Sequence, residues 1–97
     1  MAGPVFYRGG MSLTPSPGEV RIEPSTGLVR TTHGISVFDR PDGLERFGGA
    51  YEVTQLPDTL RIIQRGKDPH HHEIAAASPM PLDEYEAELA KIVLVPV

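Results

Sequence analysis

Three of the four histidines in the chain form one run, His70-His71-His72, and the carboxylate of Glu73 follows directly. Histidine has the unperturbed pKa nearest to physiological pH, so it can serve as acid, base, metal ligand or charge switch. If the run is a β-strand, alternate side chains point to opposite faces of the sheet. His71 and Glu73 then share one face, and His70 and His72 share the other. The run therefore predicts two pairs with different chemistry.

A metal site is one interpretation of the second pair. His70 and His72 could chelate together, with Asp68 or His33 as a further ligand. Zinc takes three or four protein ligands, and adjacent histidines on a strand point apart. The chain has no cysteine and no His-Glu-x-x-His pattern. We therefore expect no metal site, and a solvated polar strand end is the simplest alternative for the whole run.

Acid–base or electrostatic chemistry is the interpretation of the first pair. His71 and Glu73 could hold a sugar hydroxyl and stabilise positive charge in an oxocarbenium-like transition state. Two residues elsewhere are candidate partners. Arg8 could clamp an anion or a ribose, or be an exposed charge at a strand end. Ser36 lies in an apolar segment and is either a satisfied core serine or a site residue.

Composition sets limits on the class of protein. The 97 residues predict one domain, 1–97, and ten glycines and ten prolines favour short strands over a helix bundle. The lack of cysteine suits a reducing cytoplasm. A net charge of −4 argues against a nucleic-acid-binding surface. We expect no membrane span and no signal peptide, and glycine-rich Rossmann or P-loop motifs are absent.

Hydrophobic patterning predicts the elements that must position these residues. Short β-prone runs occur at 5–8, 19–23, 28–30, 34–38, 51–54, 59–64 and 70–76, with a brief helical turn at 44–47. After Pro81 an apolar stripe at helical spacing predicts one amphipathic helix, and the tail 92–97 could end as a strand. The pattern predicts an α+β fold with six or seven short strands and one C-terminal helix.

A longer motif surrounds Ser36. The segment Gly34-Ile35-Ser36-Val37-Phe38-Asp39-Arg40, together with His71, Ile74, Pro79-Met80 and the helix that follows, resembles a small family of bacterial toxins. These are cytotoxic effectors with an ADP-ribosyltransferase-like fold, known from type VI secretion and from stand-alone relatives. Phe6-Tyr7-Arg8 is similar to the Tyr-Arg strand that opens the family's fold. The resemblance covers roughly residues 30–92.

The resemblance implies a split β-sheet around an NAD-binding cleft. It implies that Arg8 contacts NAD, that Ser36 matches a functionally required serine and that His71 matches a histidine required for toxicity. Glu73 lies near the glutamate position of true ADP-ribosyltransferases. Ile35 stands where the secreted toxin has a threonine.

The function implied by the resemblance is that of a toxin acting in the cytoplasm of the producing or intoxicated bacterium. It would cleave the nicotinamide–ribose bond of NAD or transfer ADP-ribose to a macromolecular target. A cognate antitoxin or immunity protein would neutralise it, with no membrane or nucleic-acid partner. Two alternatives stay open: a catalytically inactive interaction module of the same fold, and a ribonuclease-like toxin with His71 as general base.

Overall fold

Six short strands form one antiparallel sheet in the computed structural model, which describes residues 3–97. The strands are β1 (Tyr7–Gly9), β2 (Gly34–Phe38), β3 (Ala50–Thr54), β4 (Leu60–Gln64), β5 (His71–Ala76) and β6 (Val93–Pro96). Their order across the sheet is β4-β5-β2-β1-β3-β6. One α-helix, α1 (Leu82–Leu89), and two 3-10 turns, Pro17–Glu19 and Glu45–Phe47, complete the regular structure of these residues.

The predicted α+β architecture with one late helix is confirmed, and β2 has the predicted bounds. The predicted strand at 19–23 is wrong. Its start lies in the 3-10 turn Pro17–Glu19, and only Ile22 pairs, through an isolated bridge to Val29. Val29 also bridges to Met80, so this segment closes over the core as an irregular hairpin. The alternation of polar and apolar residues at 19–23 predicted a half-buried strand, but the side chain of Ile22 is exposed.

The pairing of β2 with β5 gives the two faces of the sheet different chemistry. Ile35 is paired with Ile74, and both are fully buried on what we call the core face. Ser36 is paired with Glu73 and Phe38 with His71 on the opposite face, which we call the site face. The alternation of side chains along a strand thus separates an apolar layer from a polar one.

Helix α1 contributes to the core. Tyr85 and Leu89 are fully buried, four residues apart as the predicted stripe requires. They belong to one cluster with residues of the sheet and its connections, including Val29, Ile35, Val37, Leu60, Ile74, Ala76, Met80 and Ile92. Within residues 3–97, no helix is both long and apolar enough to cross a membrane.

The Tyr85 hydroxyl ties the helix to strands β5 and β2. It donates to the carbonyl oxygen of Ile74 at 2.6 Å and accepts the N–H of Ile35 at 3.3 Å. Burial raises the pKa of Tyr85 to about 12, so the hydroxyl stays protonated and able to donate. The bond fixes the strand segment that carries Ser36 on its other face.

The sheet is weakly joined at its centre. β1 pairs with β3 through Tyr7, Arg8 and Gly9, but with β2 only through Tyr7, opposite Phe38. Beyond this pair the two strands separate. The sheet therefore consists of a three-stranded part β4-β5-β2 and a three-stranded part β1-β3-β6 that meet at one point.

We predict that Tyr85→Phe lowers the free energy of unfolding by about 1–3 kcal/mol, because it removes the hydroxyl that bonds to buried backbone groups of Ile35 and Ile74. Urea denaturation measures this change. Tyr51→Phe on the partly exposed strand β3 is the matched control, and we expect it to change stability by no more than about 0.5 kcal/mol. Equal effects of the two substitutions would contradict the structural role of the Tyr85 hydroxyl.

Candidate active site

The Ser36 hydroxyl and the His71 ring are hydrogen-bonded on the site face. Nε2 of His71 lies 3.1 Å from Ser36 Oγ, and Nδ1 lies 2.7 Å from the backbone carbonyl oxygen of Arg65. Because a carbonyl oxygen only accepts, Nδ1 carries the proton of the neutral ring. Nε2 is then an acceptor, and the Ser36 hydroxyl donates to it. We call this pair the Ser36–His71 dyad.

The Arg65 carbonyl is held by the tight connection from β4 to β5. The N–H of Arg65 donates to the His71 carbonyl at 3.3 Å, and the N–H of His71 donates to the Asp68 carbonyl at 3.1 Å. The side-chain amide of Gln64 donates to the carbonyl oxygens of Gly66 and Asp68, each at 3.1 Å. Gly66 has a φ of 90°, which favours glycine. A local turn therefore orients the His71 ring.

Glu73 lies beside the dyad but is almost fully buried. Its Oε1 accepts the N–H of Gly34 at 2.9 Å, and its Oε2 accepts Nε of Arg65 at 3.0 Å. Oε2 also lies 3.9 Å from Nε2 of His71. At this distance the carboxylate stabilises positive charge on the ring whenever Nε2 takes up a proton.

Gly34 makes the Glu73 contact possible through a close approach of two backbones. A Cβ at Gly34 would lie 1.8 Å from the carbonyl oxygen of Ile74 in β5. No side chain fits at that distance, so only glycine lets β2 lie close enough for its N–H to reach Glu73. This glycine is therefore required by packing against β5.

An ion pair occupies the edge of β2 at Ser36, where β1 has separated. The N–H and C=O of one residue in an antiparallel strand point to the same side. The N–H of Ser36 donates to Oε2 of Glu19 at 2.9 Å, and the Ser36 carbonyl accepts Nη1 of Arg8 at 2.8 Å. Arg8 Nη1 and Glu19 Oε2 are 3.3 Å apart, and both side chains are largely buried. The pair takes the place of the missing strand.

Arg8 stabilises the fold in addition to any contact that it makes with a ligand. Its Nε donates to the carbonyl oxygen of Ser12 at 2.9 Å, and its Nη1 serves both Glu19 and Ser36. Within residues 3–97, Nη2 is the guanidinium nitrogen that makes no such bond. A ligand could therefore be contacted through Nη2 while the other two nitrogens hold β2.

Glu19 is anchored by its own turn. Its Oε1 accepts the backbone N–H of Ser16 at 3.0 Å and the Ser16 hydroxyl at 3.1 Å. Burial alone would raise the pKa of Glu19, but the N–H groups of Ser16 and Ser36 and the charge of Arg8 outweigh burial. The pKa of Glu19 therefore lies below its usual value, and the group is a carboxylate at neutral pH.

A cleft of about 400 Å³ opens against the dyad and the ion pair. This volume falls in the range of small-molecule sites. The His71 ring meets the Phe38 ring edge to face, with centroids 5.6 Å apart. Phe47 is half exposed at the same cleft and packs against Gly9. The wall combines charge, a hydroxyl–imidazole pair and aromatic surface from Arg8, Glu19, Ser36, Phe38, Phe47 and His71.

The other two histidines of the run have separate environments. His70 precedes β5, and its Nδ1 lies 2.8 Å from Oδ1 of Asp39. The ring of His72 lies on the opposite face from His71 and packs against Phe6, with centroids 4.8 Å apart. Within residues 3–97, no group of three or more histidine, cysteine or acidic side chains is arranged to hold a metal ion.

The structure brings three of the four sequence-predicted site residues, Arg8, Ser36 and His71, to the cleft, and places Glu73 behind them. Sequence reasoning missed Glu19 and Arg65. The pattern Ser16-Pro17-Gly18-Glu19 matches a capping box with proline at the first helical position, which could have placed Glu19 in a turn. Arg65 orients His71 through its backbone carbonyl, and the residue type does not indicate what a backbone group binds.

Comparison of the chain with protein-family models, with curated proteins and with solved structures returns no match.

We predict that Glu19 makes the protein sensitive to acid. Its carboxylate is stabilised only in the folded chain, so its folded-state pKa lies below the unfolded value of 4.5. The stabilisation is complete above about pH 4.5 and is lost as the pH falls through the lowered pKa. Glu19→Gln should reduce stability at pH 7 by about 1–3 kcal/mol and flatten the decline between neutral and acid pH.

Urea denaturation at a series of pH values measures this difference. Glu86→Gln on the exposed side of α1 is the matched control and should keep the acid decline of the unsubstituted protein. A decline in Glu19→Gln as steep as that of the control would show that Glu19 is not the group responsible.

Proposed function

We propose that this chain is a bacterial toxin that acts on NAD in the cytoplasm, either by cleaving the nicotinamide–ribose bond or by transferring ADP-ribose to a macromolecular target. One observation carries the proposal. Arg8, Ser36 and His71, the residues that the family resemblance implies as functional, lie in three separate parts of the chain and line one cleft.

The sheet supports the same proposal. A split sheet around a cleft is what the resemblance to ADP-ribosyltransferase-like toxins implies. In this chain β1 and β2 meet only at Tyr7 and Phe38, and the cleft opens where they separate. We therefore propose that the fold is of the ADP-ribosyltransferase-like type.

The residues of the cleft suit the parts of NAD by their chemistry. The Nη2 donors of Arg8 suit phosphate or ribose oxygens, and the Ser36 hydroxyl suits a ribose hydroxyl. Phe38 and Phe47 provide aromatic surface for a planar ring. Loss of nicotinamide leaves positive charge on the ribose, and the polar wall formed by His71 would stabilise it.

Glu73 has a different role in this proposal from the one that the resemblance implies. Both of its carboxylate oxygens are already bonded, to Gly34 and to Arg65, and the carboxylate is buried. We propose that Glu73 is a positioning residue: it bonds to Arg65, whose carbonyl orients the neutral His71 ring, and its negative charge behind the ring favours the positive charge that develops on the ribose. It would not contact the ribose directly.

Partners follow from the proposed activity. A toxin that consumes NAD or modifies a target must be inhibited in the cell that makes it, so we propose a cognate antitoxin or immunity protein that covers the cleft. An inactive interaction module of the same fold would bind a partner at the same place without turning over NAD.

Incubation of the purified protein with NAD, followed by measurement of released nicotinamide, tests the proposal. We expect release by the unsubstituted protein, and a loss of about 100-fold or more in Ser36→Ala and His71→Asn, the scale reported for removal of a preorganised group at a reacting centre. Ser78→Ala and His70→Ala are matched controls outside the cleft and should retain release.

Expression without a neighbouring gene provides the cellular readout. We expect growth arrest that is lost in Ser36→Ala and His71→Asn and kept in the two controls. Harmless expression together with no release of nicotinamide would overturn the proposal in favour of the inactive module. Growth arrest with degraded RNA and intact NAD would overturn it in favour of the ribonuclease-like toxin.

A further inference from the structure

The Ser36 hydroxyl is not needed to satisfy the backbone around it. The N–H and C=O of Ser36 are bonded to Glu19 and Arg8, and its hydroxyl donates to Nε2 of His71 at 3.1 Å. A hydroxyl that only stabilised the fold would normally bond to a neighbouring backbone group. Here the hydroxyl proton points to the imidazole, and the oxygen lone pairs accept no hydrogen bond from residues 3–97, so they are available to a ligand.

The His71 ring is arranged as a general base for that oxygen. The Arg65 carbonyl at 2.7 Å fixes the proton on Nδ1, which leaves the lone pair of Nε2 directed at Ser36. A nucleophile bonded to a base, with the base oriented by a third group, is the general arrangement of nucleophilic catalysis. The carboxylate of Glu73 at 3.9 Å stabilises the imidazolium that proton transfer creates.

The surroundings of the dyad favour one class of electrophile. Phe38 and Phe47 line the cleft with apolar surface, which suits a small apolar acyl group. Nη1 of Arg8 is engaged by the Ser36 carbonyl at 2.8 Å and by Glu19, so Nη2 is the guanidinium nitrogen left to donate to a developing oxyanion.

We propose that Ser36 is a nucleophile activated by His71 and that the cleft hydrolyses small carboxylic esters with an apolar acyl group. Ser36 Oγ attacks the carbonyl carbon, and its proton passes to Nε2 of His71. The bond from the carbonyl carbon to the alcohol oxygen breaks, and the alcohol leaves with the proton from Nε2. Water then attacks the acyl-serine, gives a proton to Nε2 and releases the carboxylic acid as Ser36 regains its proton.

This activity stands on the geometry of the dyad and does not require NAD. The roles proposed above for Ser36 in NAD chemistry are hydrogen bonds to a ribose, and no bond to Oγ is made in them. Covalent modification of Oγ is therefore a separate property of the same residue.

A fluorophosphonate probe tests the nucleophile directly. Ser36 Oγ displaces fluoride from phosphorus, its proton passes to His71, and the adduct is stable enough for intact-mass and peptide mass spectrometry. We expect one adduct on the unsubstituted protein, mapped to Ser36, and no adduct at this position in Ser36→Ala. In His71→Asn, which retains a donor toward the Arg65 carbonyl but lacks the base, labelling should slow by about 100-fold.

Hydrolysis of 4-nitrophenyl acetate gives the catalytic readout, with Ser78→Ala as matched control. We expect nitrophenol release that Ser78→Ala keeps and that the Ser36 and His71 variants lose. Mapping the adduct on the unsubstituted protein needs no variant, so poor folding of a variant does not weaken the test. An adduct elsewhere than on Ser36, labelling at the same rate in His71→Asn, or no adduct at all would overturn the proposal.

The two proposals for this cleft fail separately. Labelling of Ser36 without release of nicotinamide from NAD would support the nucleophile and reject the NAD activity. Release of nicotinamide by a protein whose Ser36 resists the probe would reject the nucleophile and support the NAD activity.

Discussion

On the edge of β2 that faces β1, none of the described strands pairs with Ser36. An unpaired peptide group in a largely buried position costs about 1–3 kcal/mol. The carboxylate of Glu19 and the guanidinium of Arg8 satisfy the N–H and C=O at that position. Charged side chains thereby do what a strand would do, while leaving a gap in the sheet that a strand would fill. The cleft opens against the side chains that occupy this gap. Because these two contacts satisfy the backbone of Ser36, its hydroxyl is not needed for that purpose. The site therefore depends on an ion pair that stands in the place of a strand.

His71 and Glu73 are positioned by a turn and by the strand register. His71 stands at the start of β5, where the turn from β4 presents the carbonyl of Arg65 to Nδ1 of the ring. The register of β5 against β2 then determines that Nε2 meets Ser36 Oγ. Glu73, two residues further on the same face, is held by Gly34 and Arg65 and supplies negative charge behind the ring. A strand register and a local turn thus combine to fix one tautomer of one histidine.

The sequence predicts those parts of the fold and site that have a local pattern. Continuous apolar character around Ser36 predicted β2, and strand alternation correctly placed His71 and Glu73 on one face. Sequence analysis did not find the role of Glu19, because the alternating residues that follow it resemble a strand. Its partners Arg8 and Ser36 lie 11 and 17 residues away in the sequence. Sequence analysis did not find the role of Arg65, because any residue type could supply a backbone carbonyl at that position. Long-range side-chain-to-backbone bonds have no period, so pattern analysis cannot find them.

The tautomer of His71 is the most direct test of the site, because the hydroxyl–imidazole bond and the proposed activation of Ser36 depend on it. Nitrogen NMR of the histidine-labelled protein, at a pH where the ring is neutral, distinguishes the two ring nitrogens by their chemical shifts. We predict a protonated, pyrrole-type Nδ1 and an unprotonated, pyridine-type Nε2, with the Nε2 signal changed in Ser36→Ala. A proton found on Nε2 of the neutral ring would contradict the arrangement, since the Ser36 hydroxyl could not then donate to it.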